Sequence, residues 1–407
     1  MTTQALQRWS NSTLRESIKI IDGDRGVNYP KQNEFFDSGY CLFLNTKNVP
    51  ANSFAFDEKM FITQEKDSKL RKGKLTRGDF VLTTRGTVGN FAYYSDKIPF
   101  ENVRINSGMV ILRLDKDGKL SRDYFKFYLD SPLFKGQIKS HSTGSAQPQL
   151  PIRDLSVFKI EFPNLITQQQ IADVLSVYDD LIYNNTRRME ILEQLAQAIY
   201  QEAFATINGK NAPLSDVITI YRGKSYAGDE LSDTEGLPFV NLKCIDRNGG
   251  FRKSGLKRFT GKYKDTQKVI AGDIVMAVTD MTQDRRIIAR AARIPTLDGG
   301  FGIISMDLVK IEPKDSNDKD YIYSLLRWSD FSNEVKNHAN GANVLHLIPD
   351  RITDFKTHIA SVDQQVEFGN KVKPILDLMD KLELQNENLR GSRDLLLPKL
   401  VTGEIRV

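Results

Sequence analysis

Phe43-Leu44-Asn45-Thr46-Lys47 returns 196 residues later as Phe239-Val240-Asn241-Leu242-Lys243, and this echo decides the reading of the fold. Gly78-Asp79-Phe80-Val81-Leu82 returns 194 residues later as Gly272-Asp273-Ile274-Val275-Met276. Asp123-Tyr124 returns as Asp320-Tyr321, and Thr167-x-x-Gln170 as Ser361-x-x-Gln364. The offset stays near half of the 407 residues, so one unit is present twice. Solenoid repeats are much shorter, about 20–50 residues. The expectation is two homologous domains with their connectors. Such a chain imitates a symmetric dimer while its halves diverge, which suits a partner that is nearly two-fold.

Each half opens with short apolar runs punctuated by Gly, Asn and Asp. Gly78–Thr84, Gly108–Leu112 and Gly272–Val278 read as strands joined by turns. A helical patch at Tyr124–Leu129 is matched by Tyr321–Trp328. Each half then closes with a long amphipathic helix. In the first, Ile171, Tyr178, Asn185, Leu192 and Ile199 repeat every seven residues, with Val174, Leu181 and Leu195 as second seam positions. In the last, Phe368, Ile375, Leu382, Leu389 and Leu396 repeat every seven; Val372, Met379, Asn386, Arg393 and Leu400 follow four residues behind. Sustained heptads argue for a coiled coil, in which a seam Asn can fix register. Thr167 with Gln170 and Ser361 with Gln364 have capping-box spacing. Asn208-Gly209 reads as a helix stop, and Pro374 as a kink or a true start.

The fold class that follows is α+β: two mixed α/β globular domains separated by two long helices that pair as an antiparallel coiled coil with pseudo-two-fold symmetry. A helix of this length makes a rod of roughly 55 Å. The boundaries are 1–163 for the first globular domain, 164–207 for the central helix, 208–359 for the second domain and 360–407 for the last helix.

Hydrophobic residues make up 40% and charged residues 27%, ordinary for a soluble protein. The net charge of +5 permits a polyanionic partner. Cys41 and Cys244 are far apart, so neither a disulfide framework nor a zinc site is expected. The first residues lack a signal-peptide core, and no apolar run reaches the length of a membrane span. The expected location is cytoplasmic.

Catalytic constellations are sparse. Gly223-Lys224-Ser225 ends like a phosphate loop, but position 218 is Ile where Gly is required. No Asn-Pro-Pro or Asp-Pro-Pro core of an amino-methyltransferase occurs, and the four histidines lack metal-ligand spacing. Asp350, Asp354 and Lys356 resemble a compressed nuclease motif, too short to set two carboxylates on adjacent strands. The plainer reading is a turn leading into a strand.

The cations are more informative. Arg71, Lys72, Lys74 and Arg77 cluster before the first Gly-Asp strand, and Thr84 and Arg85 end it. Lys243, Arg247, Arg252 and Lys253 cluster in the second half, and Arg285 and Arg286 follow the second Gly-Asp strand. With Lys47 they are candidates to position on phosphates or to read base edges.

With these pieces in place, the chain resembles the specificity subunit of type I DNA restriction-modification systems. The resemblance rests on the repeat of globular part plus long helix, the Gly-Asp strands, and Gln168-Gln169-Gln170 and Asp363-Gln364-Gln365 at the helix starts. It also rests on Thr143–Leu150, with Ser145 and Gln147, which is similar to the polar segment closing a target-recognition domain. Leu395-Leu396-Leu397-Pro398-Lys399-Leu400-Val401-Thr402-Gly403-Glu404-Ile405 resembles the family's tail. The second copy departs at Asn340–Leu345, which lacks the Gln of the first. The resemblance implies a non-catalytic chain with two target-recognition domains reading an asymmetric, bipartite double-stranded DNA site. It implies two methyltransferase subunits carrying S-adenosylmethionine and acting on adenine N6. It further implies motor-nuclease restriction subunits using ATP and Mg. A stand-alone DNA-binding protein and a nuclease are the alternatives.

Overall fold

The computed structural model describes residues 9–115, 118–142, 148–204, 209–315 and 317–407. The chain divides into two compact units, Met1–Leu181 with Leu389–Val407, and Ile182–Asn388.

In the first unit, a four-stranded antiparallel sheet runs in the order Lys19–Asp22, Met109–Arg113, Phe80–Thr83, Phe91–Tyr93. A three-stranded sheet runs Phe61–Ile62, Cys41–Leu44, Val103–Ile105, the last two strands parallel. The helix Arg122–Asp130 packs its Tyr124, Phe125 and Tyr128 on Phe80 and Leu112. Ser10–Thr13 pairs with Lys159–Phe162 and leads the chain into the long helix Leu165–Phe204.

The second unit has the same internal plan. Its four-stranded sheet runs Ile218–Arg222, Leu308–Pro313, Ile274–Ala277, Ala291–Arg293. Its other sheet has five strands around the parallel pair Leu237–Val240 and Phe301–Ile304. The helix Lys319–Trp328 fills the place of Arg122–Asp130. Lys210–Pro213 pairs with Lys356–Ile359 before the long helix Val362–Val401.

The repeated Gly-Asp pairs are turn devices. Gly78 and Gly272 have φ of 96° and 84°, where a side chain strains the backbone. Buried Asp79 accepts the Thr76 N–H and two bonds from Arg113. Asp273 accepts the Ile270 N–H and pairs with Lys310 and Lys319. The apolar residues after each pair face the core, so these strands are buried on both sides.

The long helices pair antiparallel within each unit. In the first unit, Ile171, Ala172 and Leu175 share a core with Leu397, Leu400 and Val401, and Asp179 accepts from Arg393 at 2.7 Å. In the second, Tyr200 and Phe204 pack on Phe368, while Asn185 donates to Asn386 at 3.1 Å. The two seam asparagines therefore satisfy each other.

Three sequence expectations need correction. The second seam of the first helix lies one residue later than expected: Val174, Leu181 and Leu195 are 38%, 45% and 47% exposed, whereas Leu175 and Ala196 are fully buried. The cap of the first helix is Asn164, whose side chain accepts the Thr167 N–H; Thr167 lies inside the helix. The second capping box forms as expected between Ser361 and Gln364. Pro374 is neither a start nor a stop, since the helix continues through it. The Asn208 part of the expected stop lies outside the described residues.

The corrected cap also corrects the repeat alignment. Asn164 and Ser361 are equivalent, at an offset of 197, and so are Gln168 and Gln365. Gln168 accepts the Ser121 N–H and donates to the Lys119 and Pro163 carbonyls. Gln365 accepts the Asp318 N–H and donates to Asn317 and the Ala360 carbonyl. Each buried amide thus ties a long helix to the cap of the shorter helix packed beside it.

Candidate nucleic-acid interface

The expected cations separate into those held by the fold and those left at the surface. Lys74 pairs at 2.6 Å with buried Asp67. Arg77 donates to the Ser95 and Phe100 carbonyls and covers the Tyr94 ring at 4.3 Å. Lys253 reaches Glu387 of the last helix at 2.5 Å and is half-buried, so it bolts the unit to its helix. Arg252 donates its Nε to the Lys243 carbonyl, and Lys47 pairs with Glu58 at the surface. Thr84 is 3% exposed, with its backbone bonded to Gly108 and Leu150, so its hydroxyl is not presented to solvent. Arg71, Lys72, Arg85, Lys243, Arg247 and Arg286 are exposed. Ser145 and Gln147 lie outside the described residues.

In each unit the turn after the Gly-Asp strand is braced by a second segment. In the first, Arg85 bridges Gln149, and the Leu150 N–H bonds to the Thr84 carbonyl. In the second, Thr279–Asp280 pairs with Leu345–His346, and Gln283 donates to the Ala342 carbonyl. The second copy therefore closes through a strand pair and the Gln283 amide.

Ion pairs fix each globular part to its helices. In the first unit, Lys126 and Arg393 both reach Asp179 at 2.7 Å. Burial pushes the Asp179 carboxyl up, but the two cations outweigh it and hold it below the usual carboxylate range. In the second unit, Arg293 meets Asp377 at 2.9 Å and also Asp380, and Arg327 meets Glu193. Each of these pairs ties a globular part to the helix segments of its own unit.

The outer faces of the first long helix carry exposed apolar side chains. Val174, Val177 and Leu181 lie in the first unit, and Ile191 and Leu195 in the second. Val174, Val177 and Leu181, and separately Ile191 and Leu195, recur at helical spacing, so each set shares one face of its helix segment.

Asp350 and Asp354 lie on one turn of helix followed by the strand that holds Lys356, with the Asp354 N–H bonded to the Asp350 carbonyl at 2.8 Å. Among the described residues no group of three or more His, Cys, Asp or Glu is placed to hold a metal ion. No helix is long and apolar enough to cross a membrane among these residues.

Comparison with known proteins points one way. Residues 7–194 match the family described as type I restriction modification DNA specificity domain. The type I restriction enzyme MjaIX specificity subunit of Methanocaldococcus jannaschii is 26% identical over 362 residues, 81% of this chain and 78% of the relative. The MjaVIII specificity subunit of the same organism is 24% identical over 433 residues, 98% of this chain and 93% of the relative. In fold, the chain is similar to the type I restriction-modification system S subunit from M. genitalium, with a TM-score of 0.55, 15% identity and 98% of each chain covered.

Proposed function

We propose that the chain is a type I restriction-modification specificity subunit, similar to the relatives above, that reads an asymmetric, bipartite DNA target and directs partner enzymes to it. Residues 1–163 and 208–359 act as the two target-recognition domains. The observation that carries this reading is the doubled plan: two units built alike, each with its own braced turn, its own exposed cations and its own antiparallel pair of helix segments. Arg71, Lys72 and Lys243 position on phosphates, and Arg85, Arg247 and Arg286 approach base edges. The two turns differ in sequence, so the half-sites differ.

The helices set the spacing between the half-sites. Their exposed apolar faces seat two methyltransferase subunits, which carry S-adenosylmethionine and methylate adenine at N6. Restriction subunits using ATP and Mg join the same assembly. This chain itself performs no catalytic step, and the complex works in the cytoplasm. Sequencing of modified bases in cells holding the methyltransferase, with and without this gene, tests the reading. Loss of one bipartite adenine motif on deletion is expected. An unchanged methylome with the methyltransferase expressed would overturn it.

A further inference from the structure

The turn that follows Thr279–Asp280 holds a chain of contacts with alternate spacing, Asp280-x-Thr282-x-Asp284-x-Arg286. It starts at Asp280, which is 4% exposed. One carboxylate oxygen of Asp280 accepts the Thr282 N–H and hydroxyl, each at 2.8 Å, and the other accepts the Ile287 N–H at 3.0 Å. The Thr282 hydroxyl also touches Asp284. Asp284 in turn pairs with the Nε of Arg286 at 2.5 Å. The Thr282 bond, and then the charges of Arg286 and the nearby Arg247, hold Asp284 below the usual carboxylate range.

The chain ends in an exposed fork. Arg286 is 60% exposed, and among the described residues no hydrogen bond engages its Nη1 or Nη2. Its neighbour behaves differently: Arg285 takes the left-handed backbone, with φ of 54°, and its Nε is buried. A guanidinium held at Nε keeps a planar pair of N–H donors for a planar acceptor. Guanine offers such a pair in the major groove, O6 and N7, whereas adenine sets a donor beside N7. The corresponding turn of the first unit, Thr84–Asn90, contains no acidic residue, so Arg85 has no such brace there.

We propose that Arg286 reads one guanine of the second half-site through its Nη1–Nη2 edge, with Asp284, Thr282 and Asp280 as positioning residues. This rests on the DNA-recognition reading above.

The test uses the full chain with its methyltransferase subunits. Binding to duplexes varied one base pair at a time is measured for wild type, Arg286→Met and Asp284→Asn. Arg286→Met keeps the length of the side chain and loses every donor, so preference for one G·C pair is expected to fall about 10–100-fold, with the other half-site read as before. Asp284→Asn is expected to weaken preference at the same pair. Replacing that guanine with 7-deazaguanine, which lacks the N7 acceptor, should weaken wild type and leave Arg286→Met unchanged. A wild type that reads its motif while Arg286→Met retains every base preference would overturn the proposal alone. A wild-type complex with no sequence preference would overturn the DNA reading beneath it.

Discussion

The same place in the two units is built from opposite chemistry. In the first, the parallel strand pair carries Arg104 opposite Phe43, and Arg104 meets Asp67 at 2.5 Å with both side chains buried. Arg104 also donates to the backbone carbonyls of Asp67, Leu70 and Lys72, so it holds up the whole connecting segment. In the second, Ile303 stands opposite Phe239, which stacks on Phe259 at 5.1 Å. The same parallel strand pair therefore tolerates a buried ion cluster or an apolar one. A buried pair is costly to break, yet apolar side chains of similar volume do as well. The second unit has Ile303 where the first has Arg104, so the strand pairing is kept while the buried packing around it diverges.

The largest expected effect follows from breaking the ionic version. Arg104→Ala should cost about 3–5 kcal/mol in denaturant unfolding, because Asp67 and three carbonyls lose their donor. Asp67→Leu with Arg104→Ile, the latter placing there the residue type of Ile303, should cost less than Arg104→Ala alone. An equal or greater loss would show that the cluster is not interchangeable with apolar packing.

The ionic version should also answer to pH. Burial raises the Asp67 carboxyl, but the bonds from Lys74 and Arg104 prevail and leave it lowered. A depressed carboxyl stabilises above its unfolded value of about 3.9 and loses that contribution as pH falls through the folded value. The penalty of Asp67→Asn should therefore be full at neutral pH and shrink below about pH 4. Cys41 beside it stays a neutral thiol, since burial and then the Asp67 charge push it up to about 12.

A smaller effect is expected at the helix seam. Asn386→Leu leaves Asn185 buried without its partner and should cost about 1–3 kcal/mol. Adding Asn185→Leu should recover stability while loosening register. Smallest of all, Val177→Glu with Leu181→Glu should change stability by about 0.5 kcal/mol or less, since both are exposed. The same variant should lose methyltransferase binding in a pull-down, which separates a docking face from a structural one.

Much of this was legible in the sequence. The duplication rests on motifs echoed along the chain, and the strands after each Gly-Asp and the two long helices rest on local pattern, which survives folding; heptads alone do not fix the antiparallel orientation. The seam of the last helix was readable at Phe368, Val372, Leu382, Asn386 and Leu400, which are buried where the heptads place them. The first helix was not, because Val174-Leu175, Leu181-Ile182 and Leu195-Ala196 place apolar residues at both candidate positions. Only packing decides between them. The buried amides Gln168 and Gln365 were hidden by a three-residue slip, since Thr-x-x-Gln and Ser-x-x-Gln look alike in sequence. The cations were the least legible. Lys253 is neutralised by Glu387 and Lys74 by Asp67, partners distant or unmarked in sequence, whereas Arg286 is distinguished by carboxylates only two and six residues away.

The central claim is that each unit reads its own half-site on a shared spacer. Residues 208–359 would be exchanged for the matching segment of another specificity subunit, and the modified adenines of the host genome sequenced. The expected result is a motif with one half changed, and with the other half and the gap between them kept. A motif changed in both halves, or in neither, would contradict it.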